Sequence, residues 1–134
     1  MNERMKILKE VAIRTDNFRD KTKELGEKAK KAFSEKHKSQ MRNLESIANS
    51  ALKVSDVLDY IKRQTGRDEK WKKENFGKEL LAIIEGELAK NRDQIYQPLT
   101  ITDELTKLEI YLLLIREFIK QIVVHYEFQL SENS

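Results

Sequence analysis

The sequence predicts an all-α fold, a compact bundle of four main helices over about residues 4–32, 39–65, 69–90 and 102–128. Three observations predict it. Apolar residues recur at three-or-four spacing along most of the chain, the period that puts them on one side of a helix. The 134 residues include only four Gly and one Pro, so few breakers interrupt those patterns. Charged residues make up 37% and hydrophobic residues 39%, which suffices for a core when the apolar side chains form stripes. The length suits a single helical domain spanning residues 1–134. The absence of cysteine removes disulfide-stapled and cysteine-ligated zinc classes and points to a reducing compartment. No apolar run is long enough for a signal peptide's core or for a membrane span of about 18 residues. The expectation is a soluble, cytoplasmic protein with no membrane contact.

The first helix carries Met5, Leu8, Ala12, Thr15, Phe18, Thr22, Leu25, Ala29 and Phe33 on one face. Lys28, Lys30 and Lys31 fall at its C-terminal end, where the helix dipole favours cations, and Gly26 weakens the case for an unbroken helix. The second helix starts after Lys38 or Ser39, where a serine can cap, and ends before Gly66. Its seam is Leu44, Ile47, Ala48, Ala51, Val54, Leu58 and Ile61. On the opposite side of the wheel lie Lys38, Arg42, Asn49, Lys53, Tyr60, Arg63 and Arg67, a basic stripe with one aromatic that Glu45 and Asp56 blunt. The third helix places Trp71, Phe76, Leu80, Ile83, Ile84 and Leu88 at core spacing. Trp71 stands among Lys70, Lys72 and Lys73; a tryptophan at a helix start reads first as a core-edge residue and second as a platform for a base. Asn91 to Ile101 contains Pro98 and reads as a loop. Thr102, Asp103 and Glu104 then open a fourth helix so apolar that it is either central or has a second face for a partner.

The net charge of +3 is unevenly spread. Residues 1–78 hold 21 Lys and Arg against 13 Asp and Glu, and residues 79–134 hold 5 against 10. The basic part suits an anionic ligand such as nucleic acid. Catalytic groups are scarce, and no catalytic residue is assigned. The only histidines are His37 and His125, and neither has a Glu three residues before it, as a di-iron bundle site would need. No glycine-rich phosphate loop occurs. The expectation is a protein that is not an enzyme and has neither metal nor cofactor.

One stretch resembles a known family. Ala32 to Ala51, AFSEKHKSQMRNLESIANSA, is similar to the helix-opening segment of the small subunit of the type III-A CRISPR-Cas effector, the Csm complex, on Ser39, Gln40, Met41, Arg42, Asn43 and Leu44. Arg63 to Asp68 (RQTGRD) and Ile115 to Gln129 (IREFIKQIVVHYEFQ) are weaker echoes in the same order. The lysine-rich stretch around Trp71 and the proline loop depart from that pattern. The resemblance implies an all-helical, non-catalytic subunit of an antiviral-defence ribonucleoprotein, stacked in several copies and joined to other effector subunits. It would line the groove for guide RNA and target RNA. It points to Arg42, Arg67 and Arg116 as RNA-backbone contacts, while Lys38, Lys53 and Arg63 come from the helical wheel. The corresponding small subunit of the type III-B (Cmr) effector is a near variant. A helical adaptor that binds only protein is the alternative from another class.

Overall fold

The computed structural model describes residues 2–132, and among these there are helices and connecting turns but no strand. The chain forms α1 (Glu3–Asp16), α2 (Arg19–Phe33), α3 (Ser39–Ser50), α4 (Val54–Arg67), the single turn α5 (Glu69–Lys72), α6 (Phe76–Ile83), α7 (Ala89–Tyr96) and α8 (Glu104–Glu132). A π-helical turn, Ile84–Leu88, joins α6 to α7 without a break. The four expected helices therefore become six longer ones and a turn.

The corrections have local causes. The first helix divides at Asn17 and Phe18, not at Gly26. Its buried stripe begins with Ile7 and Val11, leaving Met5 46% and Leu8 38% exposed. Two adjacent apolar sets were on offer, and contact with Ile95, Ile101, Ile110 and Leu114 selects the β-branched one. The second helix breaks at Ala51–Lys53, where extended backbone separates α3 from α4 although the apolar period runs straight through. Lys38 occupies the N-cap position of α3 without a side-chain hydrogen bond, and Ser39 is already helical. The third helix is interrupted after Lys72 by Glu74 and Asn75, both left-handed with φ near 56° and 58°. It then continues to Tyr96, so the loop begins at Gln97 and not at Asn91.

Of the two placements expected for the last helix, central or with a second face for a partner, the central one is observed. Phe18 packs edge-on against Phe118 at 5.7 Å, Thr22 donates to Gln121 at 3.2 Å and Gly26 lies against His125, so α2 runs parallel to α8. A Cβ on Gly26 would come within 2.6 Å of the His125 Cβ, which makes glycine the condition for this close approach. Tyr111 donates to the Ile84 carbonyl at 2.8 Å and Tyr96 to the Lys107 carbonyl at 2.6 Å, so α6 and α7 run antiparallel to α8. Asp103 caps α8 by accepting from the Thr106 amide at 2.9 Å. Phe33, Trp71 and Phe76 pack edge-on with ring centroids 5.4–5.6 Å apart and close the core at the C-terminal end of α8. No described helix is long and apolar enough to cross a membrane.

Candidate nucleic-acid interface

The break at Ala51–Lys53 turns a straight stripe into a hairpin. Gln40, in the first turn of α3, accepts from the indole N–H of Trp71 at 3.0 Å, and Tyr60 of α4 packs on the same ring at 6.1 Å. The start of α3 therefore stands beside the end of α4. Lys38 and Arg42 come to the same end of the molecule as Arg63 and Arg67, and all four side chains are exposed. Among the described residues none of the four forms an ion pair. An unpaired exposed cation is free to meet a phosphate without first giving up a partner.

Two of the six sequence-derived residues are placed elsewhere. Lys53 is exposed but occupies the N-cap position of α4, at the other end of the hairpin, about 20 Å of helix away from Arg67. Asp56, expected to blunt the stripe, moves to that end with it. Arg116 is half-buried: its Nε donates to the Ala48 carbonyl and its Nη2 to the Ala51 carbonyl, both at 2.9 Å. These are free carbonyls at the C-terminus of α3, so Arg116 acts as a brace at the break, where a helix end attracts a cation. Tyr60 is no free stacking surface either. It leans on Trp71, and burial raises its hydroxyl pKa while Arg67 partly opposes the rise. Trp71 is fully buried, which corrects its reading as a possible base platform in favour of the core.

Charge is not even across the basic end. Lys38 and Arg42 line a groove against α8 that also contains Glu35 and Glu127, so two cations face two carboxylates there. On the other side of the hairpin, residues 62–78 supply Lys62, Lys70, Lys72, Lys73 and Lys78 besides Arg63 and Arg67, against Asp68, Glu69 and Glu74. Asp68 and Glu69 pair locally with Lys70 and Lys72. The lysines around Trp71 are visible in the sequence, but Lys72 is set beside Lys62 by the extended Asp68 between α4 and α5, and Lys78 is brought to them after the turn at Glu74 and Asn75. Among the described residues, no three His, Asp or Glu side chains stand close enough to hold a metal ion. The chain matches no protein-family model, no curated protein and no solved structure.

Proposed function

We propose that this protein is a non-catalytic RNA-binding structural subunit of a type III CRISPR-Cas ribonucleoprotein in the cytoplasm, contacting guide RNA and target RNA through their backbones. What supports the reading is that Lys38 and Arg42 at the start of α3 and Arg63 and Arg67 at the end of α4 are all exposed, with no ion pair to any of them among the described residues. The similarity of Ser39–Leu44 to the family's helix opening supports the assignment, because Arg42 belongs to both. Cations on a helical scaffold hold phosphates irrespective of sequence, as a subunit that accepts any guide requires. Duplex RNA is itself read largely through shape and backbone.

Arg42→Ala combined with Arg67→Ala tests this. The double variant should weaken RNA binding evenly across sequences and lower the magnitude of the salt slope by about two, one for each guanidinium taken away from a phosphate. An unchanged slope would overturn the reading. Association with other effector subunits and with copies of the chain belongs to the same proposal. A protein-only adaptor is the second reading, favoured by Leu52 and Leu105, which are 81% and 75% exposed and line one shallow apolar groove. Apolar association would persist or strengthen as salt rises, whereas phosphate binding would fall steeply.

A further inference from the structure

Between the end of α4 and the start of α6 lies a groove of about 440 Å³ that no sequence-derived site residue lines. Lys62 reaches it from α4, Lys72 from α5 and Lys78 from α6, and no carboxylate is among its lining residues. Lys62 and Lys78 have no ion pair among the described residues, and Lys72 meets only Glu69, whose side chain is 88% exposed. Three lysines lining one concavity raise its potential and favour an anion within it. The remaining lining is mixed: Leu81 is half-buried, Thr65 and Trp71 are buried, Asn75 is exposed, and the bare backbone of Gly66 has open space where a side chain would stand. The occupant that matches this lining is anionic at one end and, at the other, has an apolar face with polar edges.

The fold holds this shape in place. α4 and α6 touch at Gly77, where a Cβ would lie 1.9 Å from the Thr65 hydroxyl, itself donating to the Ile61 carbonyl at 2.7 Å. That contact fixes the spacing of Lys62 and Lys78 across the groove. The left-handed pair Glu74 and Asn75 turns the chain so that Lys72 and Lys78 flank the same opening, a conformation that costs free energy in non-glycine residues.

We infer that this groove holds one nucleotide of the bound RNA, with its phosphate among Lys62, Lys72 and Lys78 and its base over Leu81 and Gly66; the inference rests on the RNA-binding reading above. The three lysines suit a phosphate whatever base it carries, and Asn75, which also lines the groove, has an amide able to hydrogen-bond a base edge.

Trp71, the only tryptophan in the chain, lines the groove and reports on it. The full chain is titrated with a fluorescein-labelled oligouridylate for anisotropy and with the unlabelled oligomer for Trp71 emission. The expected result is an emission change with the same midpoint as the anisotropy. In Lys62→Ala/Lys78→Ala the emission change disappears and the salt slope of the anisotropy falls by about two. In Arg42→Ala/Arg67→Ala the affinity drops, but saturating RNA still produces the full emission change. Anisotropy that rises while Trp71 emission stays flat, or a lysine variant that behaves like wild type, overturns the groove and leaves the RNA reading standing. No anisotropy change in the wild type at low salt overturns both. An emission change produced by poly-glutamate and not by RNA assigns the groove to an acidic peptide and overturns the nucleotide.

Discussion

Replacing Arg116 by alanine separates its two roles, a contact to RNA or a brace at the α3–α4 break. The guanidinium makes two hydrogen bonds of 2.9 Å, to the carbonyls of Ala48 and Ala51. A hydrogen bond with a charged partner contributes about 1.5–3 kcal/mol when shielded from water. Arg116 is only half-buried, which moves each bond towards the low end. The carbonyls released in the variant stand at a helix end that water can reach, so water partly replaces the guanidinium. Interaction with the helix terminus is contained in the same two bonds and is not counted again. Arg116→Ala should therefore destabilise the protein by about 2–4 kcal/mol, read as a shift of the urea midpoint at unchanged slope. Arg116→Lys should recover about half, since an ammonium cannot span two carbonyls as the planar fork does. RNA affinity measured under folding conditions should stay at the wild-type value. A stability change below about 0.5 kcal/mol together with weakened RNA binding would refute the reasoning and return Arg116 to the proposed RNA contacts.

The close approach of α2 to α8 yields two more predictions. Gly26→Ala places a methyl 2.6 Å from the His125 Cβ and 3.0 Å from the Tyr126 amide nitrogen. The overpacking cost of about 1–3 kcal/mol should exceed the gain of about 1 kcal/mol in helix propensity, so Tm falls; a raised Tm would mean that the two helices have slack to separate. His125 has its pKa lowered below the ordinary 6.5, first by burial and then by Arg19 and Lys23, with Glu27 opposing. In the window between the lowered value and 6.5 the unfolded chain binds a proton that the folded chain does not. The contribution to stability is thus complete above pH 6.5 and lost as pH falls through that window. Urea midpoints compared on either side of 6.5 should show this loss in the wild type and a smaller one in His125→Gln. Equal losses in both would assign the pH dependence to other groups.

The helical class was legible because it depends on period and composition, both local properties. The seam residues Leu44, Ala48, Ala51 and Ile61 and the core residues Phe76, Leu80, Ile83, Ile84 and Leu88 are buried as their spacing predicts. A helix repeats its environment every three or four residues, and the sequence records that repeat directly. Of the candidate surface, Lys38, Arg42, Arg63 and Arg67 are indeed exposed, since charge opposite an apolar seam faces water.

Where the helices stop was a matter for the tertiary structure. Nothing at Ala51–Lys53 resembles a stop signal: the segment has neither Gly nor Pro, and the apolar stripe continues beyond it. The chain folds back there because both halves can then bury their seams in one core, and because Arg116, distant in sequence, satisfies the carbonyls that the break exposes. The groove of Lys62, Lys72 and Lys78 is equally non-local. Its residues lie on three elements whose spacing is set by Gly77 against Thr65 and by a left-handed turn at Glu74 and Asn75. The sequence by itself determined most of which side chains face water and which face the core, because those choices follow the helical repeat; at the start of the chain, where two apolar sets compete, contact with Ile95, Ile101, Ile110 and Leu114 chose Ile7 and Val11 over Met5 and Leu8. Which charged residues stand together was decided by chain reversals, and these depend on contacts between residues far apart in the chain.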